Sequence, residues 1–332
     1  MKKILKKAFK VVLPLFLGGF ILVWVYREFD FSRVGEVLLE GMDYSWMLLS
    51  LFFGMFSHVF RGWRWQQTLA PLGEYPSATT CVNAVFVSYA ANLVLPRVGE
   101  VSRCGALSKY EGVSFSKSLG TVVTERLIDA CCILLLTGVT LLMQLDLFQR
   151  FFVDTGTGLG ALTRPLASPF FYAGLAGLVL LLVLLYYLLR SFSFFSRLKR
   201  VALNIWEGVF SLRNVEKKWL FALYTLLIWI CYFLHFYLTF YSFEFTHDLG
   251  VEAGLVLFVV GTIAVIVPTP NGAGPWHFAV ITMMGFYGIS KENAGIFALL
   301  VHGIQTFLII LLGIYGAMAL SLSTKKKTYE NN

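Results

Sequence analysis

The chain has 332 residues, of which 58% are hydrophobic and 14% charged, against roughly 25% charged in an ordinary soluble domain. No stretch has the length or polarity of a soluble domain, so any chemistry must take place within a membrane or at its surface. The net charge of +8 concerns the membrane and not nucleic acid, since no aromatic–basic nucleic-acid motif accompanies it.

Lys2, Lys3, Lys6, Lys7 and Lys10 precede a first apolar run at 8–26, which predicts a cytoplasmic N-terminus. Val25-Tyr26-Arg27-Glu28 offers no small-residue cleavage site, so this run is expected to stay as an uncleaved first helix. A second span at 45–63 leads into Arg61, Trp63, Arg64 and Trp65, types that settle at headgroup depth. Arg61, Arg64 and Trp65 are thus expected as an interface anchor, with headgroup contact as the alternative role.

The segment 80–115 is broken in its middle by Asn92, Pro96, Arg97, Gly99, Glu100 and Arg103. Spans at 119–143, 169–190, 219–242 and 293–320 approach or exceed the ~20 apolar residues that cross a bilayer. A second broken segment at 251–287 carries Pro268, Pro270, Asn271, Gly272, Gly274, Pro275, Trp276 and His277. Irregular backbone survives in a bilayer only where protein buries it or a wet cavity adjoins it. Paired broken segments in the two halves of a chain point to a binding site near the midplane.

The expected fold is therefore an all-α polytopic membrane protein. It has six full transmembrane helices plus two oppositely oriented re-entrant helical hairpins, in one domain over 1–324 with a cytoplasmic tail at 325–332. Placing both hairpins as re-entrant concentrates Lys and Arg on the cytoplasmic side and leaves the outer segments acidic. Full crossings at either would invert part of that asymmetry. Both termini are then cytoplasmic, in the plasma membrane. Residues 196–213, with Leu198, Val201, Ala202, Ile205, Val209 and Leu212 at helical spacing, predict an interfacial amphipathic helix. It either anchors the bundle or senses anionic lipid.

Charged residues within spans are costly, and they pair with one another or line a substrate path. Arg97, Arg103 and Arg126 are expected to face Glu100, Glu125 and Asp129 in one cluster. That cluster either pins the hairpin to the span or leaves an arginine free to hold a phosphate, which a planar guanidinium binds in pairs of hydrogen bonds. In the second broken segment Gly272, Gly274 and a helix start at Pro275 allow amides to face an anion. Asn271, Pro268, Pro270 and His277 form its candidate gate, with His277 read either as a packing residue or as a proton-responsive group. His58, His235 and His302 are read as structural. The five cysteines have neither metal nor redox spacing, so no disulfide, no metal and no other cofactor is expected. No nucleotide loop and no serine–histidine–acid order is present.

Four motifs together resemble a known family. They are Arg61-x-x-Arg64-Trp65; Asn92-x-x-x-Pro96-Arg97-x-Gly99-Glu100-x-x-Arg103; Thr121-x-x-x-Glu125-Arg126-x-x-Asp129; and Pro268-x-Pro270-x-Gly272-x-Gly274. The family is the transmembrane, flippase-like domain of lysylphosphatidylglycerol synthases and its stand-alone relatives. The resemblance implies a lipid-translocating membrane domain with re-entrant elements. It also implies substrates among aminoacylated phospholipids, polyprenyl-phosphate-linked sugars or similar headgroups. Two departures stand out: Asn271 replaces a family glycine, and His277 replaces a family glutamate. The chain ends at Asn332 soon after its last span, so the aminoacyl-transferase domain is expected to be absent and lysyl transfer is not predicted. The expected function is translocation of an anionic or zwitterionic lipid between leaflets, by a protein that is not an enzyme and whose partners are membrane lipids. The alternative is a non-transporting subunit that presents a lipid carrier to a separate lipid-modifying enzyme or glycosyltransferase.

Overall fold

The computed structural model describes residues 2–144, 169, 172 and 214–330. The expected span at 169–190, but for two positions, and the expected amphipathic helix at 196–213 lie outside the described residues. Among the described residues the chain is helical, and its sole β-type pairing is an isolated bridge between Met42 and Phe243. Its helices are α1 (Lys2–Tyr26), α2 (Ser32–Leu39), α3 (Tyr44–Leu69), α4 (Ala78–Val94), α5 (Val98–Glu111) and α6 (Phe115–Met143). They continue with α7 (Lys218–Tyr237), α8 (Val251–Ala264), α9 (Pro275–Phe286) and α10 (Lys291–Glu330). The last of these continues through most of the segment expected as a tail.

Three described helical segments are long and apolar enough to cross a bilayer: Phe115–Met143, Lys218–Ser242 and Lys291–Ser323. Shorter apolar helices occupy Leu13–Tyr26, Ala78–Val94 and Val251–Ala264. The lipid-facing character of the long ones is plain on α6, where Leu127, Leu134, Leu135 and Leu142 are exposed. Helix α3 has 26 residues, and at about 1.5 Å per residue it is long enough to span. Its second half, however, carries Arg61 and Arg64, both buried.

Both broken segments are helical hairpins. In the first, α4 and α5 pack against each other, and their far ends are clasped. The Glu111 carboxylate at the end of α5 accepts hydrogen bonds from Ser77 (3.1 Å) and Thr80 (2.6 Å) at the start of α4. Ser77 also caps α4, accepting from the Thr80 amide at 3.1 Å. The chain therefore returns to the level from which it left. In the second, α8 packs on α9, with Gly261 of α8 facing Trp276 at the start of α9.

Without a hydrophobic drive between helices in lipid, close backbone approach and polar contacts hold such a bundle together. At Gly313 a Cβ would come within 2.2 Å of the Ala90 Cβ, so α10 crosses α4 nearly in backbone contact. Two apolar cores result. One joins Trp65, Leu69, Val85, Leu107 and Val122 of α3 to α6. The other joins Phe236, Phe240, Leu257, Met284 and Phe297 of α7 to α10 and the turn after α7.

Candidate functional site

The first hairpin turns at Leu95-Pro96-Arg97. Proline disfavours the helical conformation for the residue before it, and Leu95 is accordingly extended (φ −139°, ψ 124°). Arg97 then adopts a left-handed conformation (φ 65°), one of two non-glycine residues among those described with positive φ. From there α5 folds back so tightly that a Cβ at Gly99 would lie 2.0 Å from the Ser88 carbonyl oxygen. The Asn92 side chain accepts the Gly99 amide at 2.8 Å, capping the new helix. Glycine in the Pro-Arg-x-Gly motif is thus required by the backbone crossing, and Asn92 by the orphan amide of the helix start.

Spacing then brings the charges together. Arg61 and Arg64 lie three apart on α3, and Glu125 and Asp129 lie four apart on α6, so each pair shares a face. Asp129 accepts from Arg61 Nη1 and Arg64 Nη2, both at 2.9 Å. Glu125 accepts from Arg103 Nη2 at 2.6 Å and lies 3.7 Å from Arg64 Nε. Arg126 spans Glu100 (3.1 Å) and Asp129 (3.7 Å) at the exposed edge of the cluster. The Arg103 guanidinium lies over the Trp65 ring, 4.6 Å from its centroid, and Trp65 donates to Thr121 at 2.9 Å.

This corrects the expected membership of the cluster. Arg97 has no carboxylate within ion-pair distance among the described residues, while Arg61 and Arg64 take the places at Asp129. The expected interface anchor of Arg61, Arg64 and Trp65 is instead buried inside the protein, with exposures of 2%, 0% and 0%. The reason is the length of α3, which continues to Leu69 beyond the point where apolar composition gives out. The residues at that point consequently meet α6 and α7.

A cavity of about 700 Å³ opens beside the cluster, and both hairpin turns line it. Arg61, Arg97, Glu100, Arg103, Arg126 and Asp129 supply the charged wall, with Asn92 and Pro96 beside them. The opposite wall comes from the second hairpin: Pro268, Thr269, Asn271, Gly272 and Trp276, none of them charged. Apolar Ile133, Val265, Ile266 and Val267 also line it, and the last three are exposed. Three residues lining the cavity hold buried polar atoms that lack hydrogen-bond partners: Arg103, at both Nε and Nη1, the Thr269 hydroxyl and the Trp229 indole N–H. Buried polar groups are ordinarily satisfied, so such orphans mark a place where something polar belongs.

The second turn departs from expectation in two residues. Gly274 (φ 91°) and Gly272 (φ 71°) do adopt backbone conformations that favour glycine. Gly274, however, lies against α1, where a Cβ would approach the Gly18 carbonyl oxygen to 2.8 Å, and it does not line the cavity. His277 is likewise off the cavity. It is buried, accepts the Gly274 amide at Nδ1 (3.4 Å), and packs on His302 with ring centroids 4.6 Å apart. Asn271 bridges the turn to α10, donating to Thr306 at 2.9 Å while its carbonyl lies 3.1 Å from His302 Nε2. Pro270 opens the short helical turn Pro270–Gly272 that carries these contacts.

Tyr89 and Tyr232 were not anticipated. Arg61 Nε donates to the Tyr232 hydroxyl at 3.1 Å, and the two tyrosine hydroxyls share a hydrogen bond of 2.6 Å. Tyr232 and His235, three apart and so on one face of a largely apolar span, were the signal, and both line the cavity.

A helical membrane bundle with a charged cavity between two broken hairpins is what these elements define. The chain matches the family model described as the lysylphosphatidylglycerol synthase TM region over residues 11–313, and it belongs to that family. It is therefore a multi-pass membrane protein related to lipid handling. No curated protein and no solved structure matches it.

Proposed function

We propose that this protein moves a lipid with an anionic or zwitterionic headgroup between the leaflets of the plasma membrane. One observation carries the reading: the turns of both hairpins line the same cavity. In this reading the chain has six crossings and cytoplasmic termini, and the hairpins re-enter from opposite sides, so a headgroup in the cavity lies within reach of each leaflet in turn. The clasp of Ser77 and Thr80 on Glu111 supports a return of the first hairpin to its own side. Arg97, Arg103 and Arg126 receive the phosphate, with Asn92 shaping the turn that presents Arg97. Exposed apolar side chains at Val265, Ile266 and Val267 give the acyl chains a path along the cavity edge.

Catalysis by the protein itself is not part of the proposal. Glu100, Glu125 and Asp129 are each engaged by an arginine, which leaves none of them as a free general base. The test is leaflet-resolved lipid movement in liposomes carrying the purified protein, across a panel of headgroups. Movement of at least one phosphate-bearing lipid above protein-free liposomes is expected, and loss of that movement in Arg126→Ala. Binding without movement of any lipid would replace translocation with the presentation of a lipid to a separate modifying enzyme.

A further inference from the structure

The charges around the cavity do not balance, and the imbalance has a sign and a size. Five arginines (Arg61, Arg64, Arg97, Arg103 and Arg126) gather in or directly behind the charged wall, against three carboxylates (Glu100, Glu125 and Asp129). Two positive charges are left over. One is Arg97, which has no carboxylate within 4 Å among the described residues and is held at the turn in a left-handed conformation. The other is shared through the cluster, where buried Arg103 keeps two N–H groups without a hydrogen-bond partner. Arg97 is exposed at the cavity, so a ligand can reach it, while the excess shared by the buried arginines is unfavourable until a counter-charge joins it.

Headgroup chemistry can now be matched to that excess. A phosphodiester carries one negative charge, so it would leave the site unbalanced. A terminal phosphate monoester carries about −1.5 to −2 and three strong acceptor oxygens at neutral pH, and a diphosphate ester carries two negative charges. A headgroup ammonium, by contrast, finds no open carboxylate among the described residues: Glu100 and Asp129 are held by Arg126, Arg61 and Arg64, and the described residues of the opposite wall are uncharged. We infer that the cavity selects lipids whose headgroup phosphate bears two negative charges, a terminal monoester or a diphosphate, over phosphodiester and zwitterionic lipids. This rests on the cavity being the headgroup site proposed above. The lipid source, as opposed to free phosphate, follows from the apolar edge formed by Ile133, Val265, Ile266 and Val267.

The experiment is calorimetric titration of the purified full-length protein in detergent. The probes are short-chain phosphatidic acid, phosphatidylglycerol, phosphatidylcholine and inorganic phosphate. Phosphatidic acid is expected to bind about tenfold or more tightly than phosphatidylglycerol, the scale of one added charge-assisted hydrogen bond. Phosphatidylcholine and inorganic phosphate should both be weaker still. Arg97→Asn, which tolerates the left-handed turn and disturbs no ion pair, should bring phosphatidic acid to parity with phosphatidylglycerol at an unchanged melting temperature. Arg97→Lys should keep the preference. Parity of the two lipids in the unaltered protein, or an undiminished preference in Arg97→Asn, would overturn the inference. Inorganic phosphate binding as tightly as phosphatidic acid would overturn the lipid assignment. Selective binding without lipid movement in liposomes would instead remove translocation and leave the selectivity standing, whereas movement of all headgroups alike, with no binding preference, would do the reverse.

Discussion

Asp129 holds the ionic cluster together, and Asp129→Asn isolates its contribution. The side chain is 8% exposed and accepts two hydrogen bonds of 2.9 Å from Arg61 and Arg64, with Arg126 at 3.7 Å. Asparagine keeps the shape and one acceptor oxygen but removes the negative charge, leaving buried Arg61 without a counter-ion and buried Arg64 with only Glu125, at 3.7 Å. Removing one partner of a buried ion pair destabilises by roughly 3–5 kcal/mol. Arg126 adds little, because its side chain is 43% exposed and solvent screens it. The lower part of that range is therefore expected, about 3 kcal/mol, since the adjoining cavity admits some water. Reversible unfolding in mixed detergent micelles measures it. Arg33→Gln serves as the control, because Arg33 and Glu292 form a surface pair at 2.8 Å with side chains 46% and 42% exposed, worth at most about 1 kcal/mol. In the double variant Arg61→Gln/Asp129→Asn the losses should fall short of additive by about 1–3 kcal/mol, the signature of direct coupling. A loss below about 1 kcal/mol for Asp129→Asn, or strict additivity in the double variant, would refute the buried pairing.

Gly99→Ala should abolish the folded peak in size-exclusion chromatography, because its Cβ would lie 2.0 Å from the Ser88 carbonyl; Gly138→Ala, which meets nothing within 4 Å, should leave the peak unchanged. Gly274→Val should lower the melting temperature by detaching α1, since the clash is with the Gly18 backbone; an unaltered melting temperature with blocked lipid movement would return Gly274 to the cavity. His277→Gln should retain most lipid movement at every pH tested, because the ring caps a turn away from the cavity, and a lost proton-dependent component would make it a coupling group instead. Single cysteines at Lys109 and Tyr287, in a background freed of native cysteines, should label from the cytoplasmic and the outer side respectively; outside labelling of Lys109 would contradict re-entry of the first hairpin.

Much of the fold is legible in the sequence. The breaks at Pro96 and at Pro268–Pro270 are chemical facts of proline and glycine, and α4, α5, α8 and α9 end and begin where those residues require. The helix start at Pro275 follows from the same rule. Pairing among the carboxylates of α6 and the arginines was legible too, because charges in an apolar span must find partners.

Sequence by itself determined the membrane class, the two helical interruptions and the need for a paired ionic cluster, since composition and local backbone chemistry act within a few residues. Which arginine meets which carboxylate was not local. Arg61 and Arg64 read as an interface anchor because apolar composition fades beside them, and only the continuation of α3 and its packing against α6 and α7 turned them inward. Arg97 read as a cluster member by its spacing from Glu100, yet with a left-handed turn at its own residue it has no ion-pair partner among the described residues. Gly274 and His277 read as the gate because they neighbour Asn271 and Gly272 in the chain. The tight turn directs the latter two toward the cavity and the former two toward α1 and α10, and that division depends on helices far away in the sequence.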